Sequence, residues 1–147
     1  MRTILAAIDF SDVSQKVIQN AADLATVIGA RLHILHAAAP DPDFIGYEVG
    51  PQHERDYRAK TLSQEHKQLN EIADEQKAAG ITSSCSLREG AIADIVLSEA
   101  KECNAEMIVM GSHGHGALFS LVVGSATQEV LRHSPIPVLV VPVRECY

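Results

Sequence analysis

Cysteine is scarce: the 147 residues contain three, Cys85, Cys103 and Cys146. An odd count with no C-x-x-C pair supports neither a disulfide framework nor a zinc finger. Long apolar runs are missing too, since the longest, such as Ile136 to Val143, fall far short of the roughly 20 residues that span a bilayer. No basic-then-apolar-then-small segment follows Met1, so the expectation is a cytoplasmic chain, neither secreted nor membrane-embedded. Positive charge is in deficit. The 12 Lys and Arg stand against 19 Asp and Glu, a formal net charge of −7, which argues against nonspecific binding to nucleic acid or to an anionic membrane. Lysine is absent between Met107 and Tyr147, which removes the lysine that a Walker-type phosphate loop needs for the terminal phosphates. What the chain does have is apolar material, 46% of it, enough to bury the core of one domain spanning 1–147.

The apolar residues are ordered in alternating patterns. Thr3 to Ile8 reads as a buried strand that ends in a turn at Asp9 and Ser11, with Ser11 or Asp12 placed to cap the next helix. Val13, Val17, Ala21, Leu24 and Ile28 then recur along one helical face, and Gly29 closes it. Arg31 to Ala38 is a second strand. After an irregular excursion from Pro40 to Pro51, a charged helix runs from about Gln52 to Ala79, with Leu62, His66, Leu69 and Ala73 on one stripe. Ile81, Ser83, Cys85 and Leu87 share the parity of a half-buried third strand. Ile92 to Cys103 is helical, Met107 to Met110 is an apolar strand, Ser125 to Arg132 is a helix and Ile136 to Val143 is the last strand. Five strands alternating with four helices predict an open parallel α/β sheet. Pro137 and Pro142 assign the last strand to a sheet edge.

Chemistry concentrates in Gly111-Ser112-His113-Gly114-His115-Gly116 and in Gly124-Ser125-Ala126-Thr127. The first group follows the fourth strand directly and the second opens the fourth helix. Glycine there lets the backbone approach a ligand and turn N–H groups inward, and a helix start adds donors and a positive dipole end. The arrangement favours a phosphate. Asp9, ending the first strand, would sit opposite this loop if the first and fourth strands are neighbours, because open α/β sheets bind ligands where strand order reverses.

Gly111-x-x-Gly114, nine residues, then Gly124-Ser125 resembles the nucleotide-binding signature of the ATP-binding branch of the universal stress proteins. The resemblance covers the whole chain, including Ile8-Asp9-Phe10-Ser11, Leu35-His36-Ala37 and the ending His133-Ser134-Pro135-Ile136-Pro137-Val138. It implies a five-stranded parallel sheet in the order 3-2-1-4-5 with helices on both faces, a Rossmann-like or flavodoxin-like architecture. It further implies that Asp9 reaches a nucleotide ribose and that Ala37 lines an adenine pocket. Gly111, His113, Gly114, Gly124 and Ser125 would hold the phosphates of ATP, with or without magnesium, and Ala126 and Thr127 would extend that loop. A homodimer through the C-terminal strand is implied as well, as is a regulatory target such as a transporter. Many members carry Arg or Lys within the nine-residue stretch, whereas His115 to Val123 holds neither.

Alternatives are weighed on residues. A flavodoxin loop needs hydroxyls where Asp9 and Asp12 supply carboxylates, and a receiver domain needs an aspartate where the third strand ends Leu87-Arg88-Glu89-Gly90. Of the seven histidines, His33 and His36 fall on opposite faces of a strand, and His113 with His115 lacks a third ligand, so no dedicated metal site is assigned. No G-x-S-x-G elbow surrounds Ser125, and no catalytic residue is assigned. The expectation is therefore an ATP-binding regulatory protein. The alternatives are a slow ATPase or nucleotidyl-transfer enzyme using Asp9 and a metal, and a protein–protein scaffold with a vestigial pocket.

Overall fold

The computed structural model describes residues 1–38, 52–112 and 123–143. Among the described residues, β1 (Thr3–Ile8), α1 (Ser14–Ile28), β2 (Arg31–Ala38), α2 (Gln52–Ala78), β3 (Ser83–Glu89), α3 (Ile92–Glu102), β4 (Ala105–Gly111), α4 (Ser125–His133) and β5 (Val138–Val141) follow one another along the chain. The irregular stretch from Pro40 to Pro51 lies outside them.

All strand pairings are parallel, in the order β3-β2-β1-β4-β5. The chain builds outward from β1 through β2 to β3, then crosses to β4 on the other side of β1. Strand order therefore reverses between β1 and β4, which opens a crevice at their carboxyl ends. β1 is central and buried along nearly its whole length, as expected where helices cover both faces. On one face, Ile4, Ala6, Ile34 and Val109 pack with Val17 and Ala21 of α1 and with Leu69 and Ala73 of α2. On the other, Leu5, Leu35, Ile108 and Met110 pack with Val96 and Ala100 of α3 and with Val130 of α4.

Helix ends explain where segments stop. Gly29 takes a left-handed conformation with φ of 67°, and the Ala30 N–H donates to the Ala25 carbonyl at 2.8 Å, closing α1 in a Schellman-type turn that favours glycine. At the start of α1 the sequence expectation needs correcting. Neither Ser11 nor Asp12 caps the helix through its side chain; the Asp9 carboxylate instead gathers the turn, as described below. Ile28 is 38% exposed, because the stripe drifts to Ile18, Ala22 and Ala25 as the helix follows the sheet. His66 is exposed while Leu69 and Ala73 are buried, so the buried stripe of α2 is narrower than predicted. β5 is also shorter than predicted, with Pro137 and Pro142 flanking it, since proline cannot extend the ladder. It does occupy an edge.

Candidate functional site

A cleft opens at the carboxyl ends of β1, β2 and β4. Its walls are Ala7, Ile8, Val13, Val17, Ala37, Ile92, Val96, Met110 and Ala126, with Asp9, Ser14, Gly111 and Thr127 as the polar or backbone-exposing members. The crevice lies where strand order reverses. Five of the nine residues singled out by sequence meet there: Asp9, Ala37, Gly111, Ala126 and Thr127. Gly124 and Ser125 stand beside them as the N-cap and first residue of α4. His113 and Gly114 lie outside the described residues.

Each wall is placed by a local cause. Asp9 leaves β1 into a tight turn in which the Ser11 N–H donates to its Oδ1 at 2.9 Å and the Ser14 hydroxyl donates to the same oxygen at 3.2 Å. The carboxylate thus binds the loop to the first turn of α1 and faces the cleft. Phe10 has a φ of +61°, a conformation costing a bulky residue on the order of 1–3 kcal/mol. Packing against the core and against the ring of His36, 4.7 Å between centroids, offsets that cost. His36 is itself buried, with Nδ1 3.0 Å from the Ile8 carbonyl and Nε2 3.2 Å from Glu65 on α2. These contacts hold the ends of β1 and β2 at one height.

The opposite wall is a strand-to-helix junction. The Thr127 hydroxyl donates to the Gly111 carbonyl at 2.9 Å, tying the first turn of α4 to the last residue of β4. The Gly124 N–H donates to the Ser112 carbonyl at 2.7 Å, which closes the intervening loop at its base. The last residues of β4 and the first of α4, Gly111 and Ser112 with Gly124 and Thr127, are thereby brought side by side.

Three helices begin at this cleft. α1, α3 and α4 each lack a side-chain hydrogen bond at the N-cap, where Val13, Ala91 and Gly124 stand. A helix start presents N–H donors and a partial positive charge. Asp9 is the sole ionisable residue among the lining residues. The cleft therefore offers an apolar floor for a flat ring, one carboxylate for hydroxyl groups, and dipole ends for an anion. Among the described residues no three His, Cys, Asp or Glu side chains are grouped to hold a metal ion. His33 and His36 do face opposite sides of β2, one toward Glu99 and the other toward Glu65.

Sequence reading missed the cleft's own lining. Val13 and Val17 were assignable to a helical core face, Ile92 and Val96 to another, and Met110 to a strand. The same periodicity marks a core and a cleft floor, so no pattern separated them. Ser14 carried a faint signal, five residues after Asp9 and at the helix start.

Comparison with known proteins agrees with this geometry. A profile of the universal stress protein family matches residues 1–142. A universal stress protein of Thermus aquaticus is 34% identical over 142 residues, covering 95% of this chain and 98% of that one. Among solved structures, a protein determined as a structural-genomics test case for assigning biochemical function superposes with a TM-score of 0.83 at 23% identity, covering 99% and 98% of the two chains. A universal stress protein solved in complex with cAMP gives a TM-score of 0.70 at 25% identity, covering 97% and 98%.

Proposed function

The chain belongs to the universal stress protein family, and from that premise we propose that it is an ATP-binding regulatory protein whose cleft senses adenine nucleotide. The observation that carries the reading is the convergence of three helix starts on an apolar cleft whose one lining carboxylate is Asp9. The base lies against Ala37 and the apolar floor. Asp9 accepts hydrogen bonds from ribose hydroxyls. The phosphates rest on backbone N–H groups of Gly111, Gly124, Ser125, Ala126 and Thr127, and His113 and Gly114 join them by the sequence pattern. Magnesium, when bound with ATP, supplies positive charge to the phosphates. That a related protein was solved with cAMP supports an adenine nucleotide as the ligand class.

Occupancy is read out through assembly. β5 presents a short edge in which Leu139 is 37% exposed, and an unpaired apolar edge is stabilised by pairing with a second copy. A homodimer through β5 places a structural reporter one strand from Gly111, whose register partner is Val141. The regulated target is a further protein such as a transporter. Among the described residues no helix is long and apolar enough to cross a membrane.

Isothermal titration of nucleotide-stripped protein with ATP, with and without magnesium, tests the reading against a Gly114→Val control. Micromolar binding that weakens at least tenfold in the control is the expected result. No heat at two temperatures would overturn it and leave a scaffold with a vestigial pocket.

A further inference from the structure

Away from the cleft, toward the amino ends of the strands, β2, β3 and α3 bring together a second polar constellation that the nucleotide reading does not use. Ser84 and His33 are register partners on adjacent strands, and the Ser84 Oγ lies 2.7 Å from His33 Nδ1. His33 Nε2 lies 2.7 Å from Oε1 of Glu99. The Ser86 hydroxyl donates to the same carboxylate oxygen at 2.6 Å, and Arg88 pairs with its other oxygen at 2.5 Å. Exposure falls along the line: Ser84 is exposed, the His33 side chain is 12% exposed and that of Glu99 is 5% exposed.

The hydrogen bonds set the proton positions. Burial pushes the Glu99 carboxyl up, but hydrogen bonds from Ser86 and His33 and the charge of Arg88 outweigh it and hold the group below its ordinary value. Glu99 is therefore an ionised acceptor, and His33 donates its Nε2–H to it. In that tautomer Nδ1 is the ring's acceptor, and it faces the Ser84 hydroxyl. A nucleophile, a base and an acid that orients the base stand in hydrogen-bond sequence. Glu99 has a hydrogen bond from Ser86 and an ion pair with Arg88 besides its contact with His33, and an exposed hydroxyl such as that of Ser84 has water as an equal partner.

The geometry points to Ser84 as a nucleophile activated by His33, with Glu99 as the positioning residue, able to take an acyl group from a small activated carboxylic ester. Ser84 Oγ forms a bond to the ester carbonyl carbon while its proton passes to His33 Nδ1. The tetrahedral adduct collapses, the carbon–oxygen bond to the leaving alcohol or phenol breaks, and the His33 proton goes to that oxygen. Water, deprotonated by His33, then releases the carboxylic acid and restores Ser84. β3 is an edge strand. The Leu32 N–H donates to the Thr82 carbonyl, so the parallel ladder turns the N–H groups of Ser84 and Ser86 toward β2 and that of Cys85 toward the open edge. Cys85 N–H is thus a backbone donor left open at that edge, and because an activated ester has a better leaving group than the acyl-serine, acylation should outpace hydrolysis.

The test treats the full chain with p-nitrophenyl acetate and follows nitrophenolate release, intact mass and peptide mapping. The expected result is a burst of release with one acetyl group on Ser84, absent in Ser84→Ala at an unchanged thermal midpoint. His33→Gln lowers the acylation rate at least about tenfold, toward the hundredfold typical of a lost general base. Glu99→Gln lowers it too, and Glu99→Asp restores part of the loss, which a purely structural tie would not do. No acetylation, acetylation confined to lysines or the amino terminus, or a Ser84 rate unchanged in His33→Gln would overturn the assignment. Should Glu99→Gln fail to fold, the His33→Gln comparison decides.

Discussion

Thr127→Val isolates the junction that ties the first turn of α4 to the end of β4. Thr127 is 4% exposed and its hydroxyl donates to the Gly111 carbonyl at 2.9 Å. Valine has nearly the same shape, so no cavity opens and the loss is the hydrogen bond alone. Removing a donor leaves the carbonyl wanting a partner, at a cost of about 1–3 kcal/mol when the group is sealed from water. Gly111 is only partly buried, so water recovers part of the bond and the low end, about 1 kcal/mol, applies. For a chain of this size that lowers Tm by about 3 °C. The same energy limits the effect on nucleotide: loosening the junction by about 1 kcal/mol reduces the ordered, binding-competent population at most about fivefold. Thermal unfolding by circular dichroism and titration with ATP measure the two effects together. Unchanged Tm with unchanged affinity would refute the junction's role. A far larger loss of affinity at unchanged Tm would mean that the hydroxyl contacts the ligand directly.

Three other outcomes follow from the same geometry. Glu99→Gln keeps an oxygen for Ser86 but removes the charge facing Arg88; because that arginine is 44% exposed and resolvates, the loss at neutral pH is about 1–2 kcal/mol rather than the larger cost of stranding a buried ion. The folded carboxyl sits below its ordinary 4.5, so its contribution is present above that value and fades as pH falls through the lower folded value; urea unfolding should show wild type and variant converging in acid, and a gap that widens there would refute the linkage. ATP affinity should not weaken between about 0.01 M and 0.1 M salt, where the screening length drops from about 30 Å to about 10 Å, because the net charge of −7 repels at long range while N–H groups attract at contact; a steep fall by titration would reveal a fixed cation in the site. In the proposed β5 dimer, Leu139→Glu would place like charges across the two edges; light scattering should show a dimer for wild type and a monomer for the variant, whereas an unchanged mass would exclude that interface.

How far the sequence could be read followed from what each residue had to satisfy. The ranges of β1 and β2 were legible to the residue, because Thr3 to Ile8 and Arg31 to Ala38 are bounded by turn-forming Asp9 and by Gly29. The strand order was legible only partly from residues: Pro137 and Pro142 placed β5 at an edge, while the arrangement of the other four came from family resemblance. Cap chemistry was misread at Ser11 and Asp12, since propensity cannot tell which oxygen of a D-x-S-D cluster reaches which N–H. The cleft floor was invisible because Ile92, Val96 and Met110 obey the same spacing as a core. The Ser84–His33–Glu99 line was invisible for another reason. Its members lie 51 and 66 residues apart along the chain and meet only through strand register and the crossover of α3.

Charge balance at the cleft constrains what occupies it. Each helix start contributes about half an elementary charge, so α1, α3 and α4 together bring somewhat more than the single negative charge of Asp9 removes. The backbone alone therefore matches a weakly charged phosphate group and falls short of a free triphosphate. No lysine or arginine between Gly111 and Thr127 makes up the difference, and among the described residues no cation lines the cleft. A triphosphate needs its charge reduced before it settles there, by magnesium bound to the phosphates or by protons on His113 and His115, which stand in the same loop of the sequence. Discrimination between nucleotides then rests on the phosphate end. Under the proposed reading, the apolar floor and Asp9 would treat every adenine nucleotide alike, whereas the dipole ends would favour those whose net charge is small. If the cleft takes ATP as proposed, a site built from backbone rather than side-chain charge is tuned by what accompanies the ligand, and ATP affinity should rise when magnesium is added to the titration.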